Sequence, residues 1–236
     1  SALSMKIIGI YDWAYRLPSF IFLILALYAT FKFAQLKYNQ TVAYLAVLIL
    51  ASCQAFFLIA HDVRTDTMLM GWVALTIWLI AKWESSKAWQ DFALAMVAIA
   101  GGMMTKGPIA LVVPVLAFAP QWFFEKKWAY FFKPIYLVGI IIIGILLIPM
   151  SWGLYQQFDL HPGKLINNIP IQSGLRFYYW TQSFGRYTGE NYYHEMSYPT
   201  FLLENMLWSF LPWIFIFIWA FIAKFIKMFN EGLFDV

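Results

Sequence analysis

The chain has 236 residues, 62% hydrophobic and 21% aromatic, with only 12% charged and a mean hydropathy of +0.67. Soluble domains carry about a quarter charged residues, so the composition excludes that class and indicates an integral membrane protein. The net charge of +4 does not point to nucleic acid, because lysines and arginines are dispersed at the ends of apolar runs and form no basic stripe.

A membrane span needs about 20 apolar residues. In chain order, the apolar runs predict spans at 18–36, 41–60, 67–83, 90–105, 107–124, 134–154 and 206–227. Residues 1–10 read as the tail of an earlier helix or as an interfacial segment. The 90–105 run is short, and Gly101-Gly102 with Pro108 predict a broken or re-entrant element there. A bilayer tolerates such a break only where protein or water covers the backbone. The segment 155–205 is polar by the standard of this chain and rich in aromatic residues, among them Tyr178-Tyr179-Trp180 and Tyr192-Tyr193. It reads as an aromatic belt at the interface or as a lid over a membrane cavity, and Tyr and Trp suit both. The expected fold is all-α, a polytopic transmembrane bundle of about seven spans with one long extracytoplasmic loop at 155–205. It forms a single domain over 1–236, with both ends cut from a longer protein. The single Cys53 lies within an apolar run, excludes an intrachain disulfide, and reads as a packing residue.

Orientation follows from the basic residues. One set of short connections holds Lys32 and Lys37, Lys82 and Lys87, Lys126, Lys127 and Lys133, then Lys224 and Lys227. The other holds Arg16, Arg64 and Lys106, with Lys164, Arg176 and Arg186 in the long loop. The lysine-rich set is assigned to the cytoplasm. His61–Asp66, Lys106 and 155–205 then share the outer face.

Three groups there can carry chemistry. The first is His61-Asp62-Val63-Arg64-Thr65-Asp66, ionisable residues packed between two apolar runs, where they are expensive to keep. Asp66 at a helix start is explained by the helix dipole alone, or it acts chemically. Asp62 and Asp66 are four apart and share a face if the helix begins before them. Paired acids suit metal binding or activation of an acceptor hydroxyl or amine, and His61 adds a base or metal ligand. The second is Thr105-Lys106-Gly107-Pro108: the lysine either snorkels to the surface or presents a fixed cation to a phosphate. The third is Arg186 and His194 in the long loop, suited to phosphate and to metal or proton transfer respectively. His161, beside Pro162-Gly163, reads as a turn residue. Neither a phosphate-binding loop, a dinucleotide fingerprint nor a His-Glu-x-x-His motif occurs.

The succession Trp13-Ala-Tyr-Arg16-Leu17-Pro18-Ser19, Arg64-Thr-Asp66-Thr-Met-Leu and Thr105-Lys106-Gly107-Pro108 followed by Leu111-Val-Val-Pro114 resembles membrane glycosyltransferases of the GT-C superfold. The resemblance is to the group of bacterial aminoarabinose transferases and protein O-mannosyltransferases, and Arg186, His194, Pro199 and Leu211-Pro212-Trp213 extend it. It implies inverting transfer of a sugar from a polyprenyl-phosphate donor to a lipid (lipid A-like), protein or glycan acceptor. The reaction would lie on the extracytoplasmic side of a bacterial inner membrane. Asp66 and Asp62 are then the candidate catalytic acids. Lys106, Arg186 and Arg64 are candidates for the donor phosphate, and His194 and His61 for the acceptor or metal region. No cofactor is implied with certainty, and a divalent metal stays an open requirement. In that group the principal acid lies on an outer loop after the first transmembrane helix. This chain begins where the following helix is under way, so the chain alone is expected to be inactive. Two rivals remain: a transporter or flippase, for which an inverted repeat would be the mark and none is visible, and a non-catalytic membrane scaffold.

Overall fold

The computed structural model describes residues 2–60, 62, 64–161, 163–166, 169–185 and 200–230. A short helix α1 (Ala2–Ile8) precedes α2 (Asp12–Lys37), α3 (Gln40–Ser52), α4 (Gln54–Ala60), α5 (Thr65–Ser86), α6 (Trp89–Lys106) and α7 (Ile109–Phe124). After a 3-10 turn at Trp128–Tyr130 come α8 (Ile135–Leu154) and a π-helical turn, Tyr155–Asp159. The hairpin β1 (Lys164–Ile166) and β2 (Ile169–Ile171) follows, antiparallel, with Lys164 opposite Ile171 and Ile166 opposite Ile169. Then α9 (Gly174–Arg176) runs into a second π-helical turn, Phe177–Thr181. Two helices, α10 (Phe201–Ser209) and α11 (Ile214–Asn230), complete the described chain.

The fold is helical, as the composition requires, and each apolar run lies on helix. Among the described residues, Asp12–Lys37 and Trp128–Asp159 are long and apolar enough to cross a membrane. The bent pairs Gln40–Ser52 with Gln54–Ala60 and Leu203–Ser209 with Ile214–Lys227 raise this to four if each is one span.

The position of the breaks differs from expectation. Helix α6 continues without interruption through Gly101-Gly102 and stops at Gly107, whose φ of +75° ends it. The two glycines serve close packing instead of a break. A Cβ on Gly101 would fall 2.6 Å from the Trp72 ring, and one on Gly102 2.7 Å from Cβ of Ala110. The chain bends elsewhere, by 60° between α3 and α4 and by 115° between α10 and α11. The two bends support one another. The Gln54 amide donates to the Leu211 carbonyl at 2.9 Å, and the Trp213 indole N–H donates to Ser52 Oγ at 2.8 Å. Each break thus finds in the other the polar partner that lipid cannot supply.

Helix α6 is the centre of the bundle. Its Phe92, Ala95, Met96, Ile99 and Met103 are buried against Leu79 and Trp83 of α5 and Leu147 of α8. Helices α2 and α5 meet through small residues: Ala26 and Ala29 of α2 are fully buried, as are Thr67 and Thr76 of α5. Small side chains let membrane helices approach closely enough for dispersion to hold them together. Pro18 inside α2 has no amide to give, so the Ala14 carbonyl is released and accepts Ser4 Oγ at 2.6 Å, tying α1 to α2. Ile140, Ile141, Ile145 and Ile148 of α8 stay exposed, a surface suited to acyl chains.

Charge sorts to opposite ends of this bundle. At one end Lys37 pairs with Glu84 at 3.1 Å and Lys82 with Asp91 at 2.7 Å. At the other lie Arg16, Asp62, Arg64, Asp66 and Lys106.

Candidate functional site

The first turn of α5 and the last turn of α6 lie side by side because the two helices are packed antiparallel neighbours. Asp66 sits in the former and Lys106 in the latter, each on the helix end whose partial charge favours it. They form an ion pair across the helices, Lys106 Nζ donating to Asp66 Oδ1. Both side chains are nearly half exposed, 46% for Lys106 and 42% for Asp66. A pair this wet adds little stability, so its groups are available to a ligand.

Asp62 does not share a helical face with Asp66. Helix α5 starts at Thr65, so Asp62 lies ahead of it and pairs with Arg64 instead. The helix cannot begin earlier because Arg64 is extended (φ −116°, ψ 149°), its carbonyl accepting Thr67 Oγ1 at 2.7 Å. The cluster therefore resolves into two acid–base pairs, Asp62–Arg64 and Asp66–Lys106, in place of a paired carboxylate. Among the described residues no three His, Cys, Asp or Glu side chains converge in a way that would hold a metal. His61, Arg186 and His194 lie outside the described residues.

Asp62 also opens onto a cleft of about 530 Å³, lined by Met5, Ile10, Tyr11, Asp12, Tyr15 and Arg16. Sequence reading missed Asp12, Tyr11 and Tyr15. The available signal was the spacing of Asp12 and Arg16, four apart at the start of α2, which places an acid and a base on one helical face. The cleft thus offers two carboxylates, a guanidinium and two phenols.

The aromatic segment docks over the Lys106 turn. The Tyr178 hydroxyl donates to the carbonyls of Met103 at 2.9 Å, which also accepts the Gly107 amide, and Met104 at 3.0 Å, in the last turn of α6. Burial of its ring pushes the Tyr178 phenol up, which keeps it protonated and donating. A Cβ on Gly107 would fall 3.1 Å from Ser183 Oγ and 3.3 Å from the Tyr178 carbonyl oxygen, so glycine allows this approach as well as the positive φ. The segment is itself braced: Asp159 accepts from Ser173 Oγ at 2.5 Å and the Gly174 amide at 2.9 Å, and Tyr179 meets Ser151 at 2.8 Å.

The sequence profile of the dolichyl-phosphate-mannose-protein mannosyltransferases matches residues 1–152, which include Asp62, Asp66 and Lys106. The chain belongs to this family. Among curated relatives of this family member, an undecaprenyl phosphate-alpha-4-amino-4-deoxy-L-arabinose arabinosyl transferase 2 from Proteus mirabilis (strain HI4320) is 24% identical over 220 residues, 90% of this chain and 36% of the relative. The transferase of the same name, without the numeral, from Yersinia pestis (strain Pestoides F) is 27% identical over 220 residues, again 90% and 36%. That from Enterobacter sp. (strain 638) is 25% identical over 182 residues, 75% of this chain and 30% of the relative. The chain spans about a third of the length of these relatives. No solved structure matches it.

Proposed function

We propose that this family member takes part in moving a sugar from a polyprenyl-phosphate donor to an acceptor on the extracytoplasmic face of a bacterial inner membrane. The observation that carries the reading is the Lys106–Asp66 pair: a half-exposed cation at a helix end, at the same end of the bundle as a cleft holding carboxylates, in a chain of this family. The relatives' names add that an undecaprenyl phosphate-linked amino sugar is the first donor to try.

The chemistry divides between the two pairs. An acceptor hydroxyl or amine attacks the anomeric carbon, and the bond from that carbon to the phosphate oxygen breaks with inversion. The acceptor's proton passes to a carboxylate of the cleft, Asp62 or Asp12. The departing polyprenyl phosphate gains negative charge, which Lys106 and Arg64 stabilise, and Arg186 is a further candidate for that phosphate. Asp66 holds Lys106 in place until the phosphate takes over. His61 and His194 remain candidates for the acceptor or metal region.

The test uses membranes containing this chain within its full-length protein, since the chain alone is expected to be inactive, supplied with undecaprenyl phosphate-linked 4-amino-4-deoxy-arabinose, and follows sugar covalently joined to acceptor. Transfer is expected, and Asp66→Asn should lower it by about 10- to 100-fold through misplacement of the cation. Movement of the lipid across the bilayer without any covalent product would replace the reading with a flippase. Stable partner binding that ignores Asp66 and Lys106, without transfer, would replace it with a scaffold.

A further inference from the structure

The end of the bundle opposite Lys106 holds a cluster that sugar transfer does not use. There the carboxylates Glu84, Asp91 and Glu125 take Lys37, Lys82 and Lys127 respectively. Lys87 and Lys133 meet no carboxylate among the described residues. Both are gathered instead on one ring, that of Tyr130. The Lys133 ammonium lies 3.6 Å from the ring centroid, over its face, and 4.8 Å from the centroid of Trp83. The Lys87 ammonium lies 4.7 Å from the Tyr130 centroid and donates to the phenolic oxygen, which places it at the hydroxyl edge.

The ring that collects them is fixed. Trp122 packs on it at 5.3 Å between centroids and Trp83 at 6.1 Å, while the Tyr136 hydroxyl donates to the Tyr130 carbonyl. Lys87 is held in a left-handed conformation, φ 54°, at the end of α5, a place helices usually give to glycine. Lys126 takes the same conformation, φ 55°, just past the end of α7, so it is the contact of its side chain with the Tyr130 ring that singles Lys87 out. Around the cluster Phe124, Trp128 and Phe132 are exposed, rings suited to the depth of lipid headgroups.

We propose that Lys87, Lys133 and the Tyr130 hydroxyl form a binding site for the phosphate of an anionic membrane lipid, at the face opposite the Lys106 pair. The two ammonium groups converge on one small region between α5, the 3-10 turn and α8, with no acid of their own to neutralise them. Basic pockets between membrane helices on the cytoplasmic side select such headgroups. The phenol accepts from Lys87 and retains its own proton for a phosphate oxygen. The cation–aromatic contacts pre-order both lysines, so less side-chain freedom is lost on binding. Topology-setting charge would need only lysines near the surface, with no shared ring.

The test reconstitutes the purified protein in phosphatidylcholine discs, with and without phosphatidylglycerol, reading the thermal unfolding midpoint and the lipid retained by native mass spectrometry. Phosphatidylglycerol is expected to raise the midpoint and remain bound. A Lys87→Asn, Lys133→Gln double variant should lose about thirtyfold in phosphatidylglycerol affinity, about fivefold for each lysine near the surface. Asparagine tolerates the left-handed conformation, so the midpoint in pure phosphatidylcholine should stay near that of the wild type. If the double variant fails to fold, Tyr130→Phe, which keeps the ring and loses the hydroxyl, should weaken retention several-fold. Inorganic phosphate added to phosphatidylcholine discs should leave the midpoint unchanged; an equal shift would make this a soluble-anion site and overturn the lipid assignment. Unaltered phosphatidylglycerol retention in a folded double variant, or in Tyr130→Phe when that variant is the one read, would also overturn it.

Discussion

Replacing Lys106 by glutamine is expected to lower sugar transfer by about two to three orders of magnitude while the fold stays in place. The departing phosphate carries the charge that develops in the transition state, and a positioned cation there acts as an oxyanion-hole donor does. The same substitution should scarcely touch stability. The Lys106–Asp66 pair is nearly half exposed, and exposed pairs contribute at most about 1 kcal/mol. For a chain of this size that corresponds to a shift of about 2–4 °C in the unfolding midpoint. The measurement is the transfer rate in membranes, normalised to protein amount, beside thermal unfolding in detergent. A large midpoint shift with proportionate loss of rate would make Lys106 a structural residue. Lys106→Arg keeps the charge but changes its shape, and should recover part of the rate.

The largest expected effect on the fold comes from Gly71→Val. Gly71 of α5 faces α2 so closely that a Cβ would fall 2.7 Å from the Phe22 carbonyl oxygen and 2.8 Å from its ring. A side chain can rotate away, but a helix carbonyl cannot, so α2 and α5 must move apart and the seam of small residues between them opens. Overpacking a close contact costs about 1–3 kcal/mol and more when backbone has to move; valine is expected at or above the upper figure. Thermal unfolding and the yield of monodisperse protein in detergent read this directly. Gly144→Ala is the matched control. A Cβ there meets nothing within 4 Å, and removing a mid-helix glycine should stabilise by about 0.5–1 kcal/mol.

Among the described residues hydropathy alone placed helix on every apolar run, because a bilayer leaves such a run few alternatives. It read the two helices Phe201–Ser209 and Ile214–Asn230, however, as one span over 206–227. Charge counting also grouped the two ends correctly: Lys37, Lys82, Lys87 and Lys133 gather at one and Arg16, Arg64 and Lys106 at the other. The breaks were not legible. Gly101-Gly102 looked like an interruption, but glycine in a membrane helix serves close packing as readily as bending, and only Trp72 and Ala110 decide which. The bend at Cys53 carries no glycine or proline, and depends on Leu211, 157 positions away, to satisfy the Gln54 amide. At the site, Lys106 and Asp66 were each singled out, yet their pairing is a tertiary fact with no local signature. Asp12 has only its spacing to Arg16 to mark it in the sequence; it gains meaning from the cleft it shares with Asp62.

Whether Lys106 serves the donor phosphate or only its partner Asp66 is settled most directly by exchanging the two charges. An Asp66→Lys, Lys106→Asp double variant keeps opposite charges on the same two helix ends while removing the cation from position 106. The expected result is a folded protein whose transfer from the polyprenyl-phosphate donor is no faster than that of Lys106→Gln. Transfer at the wild-type rate by the exchanged protein would contradict the role given to Lys106 and leave the pair as a structural tie between α5 and α6.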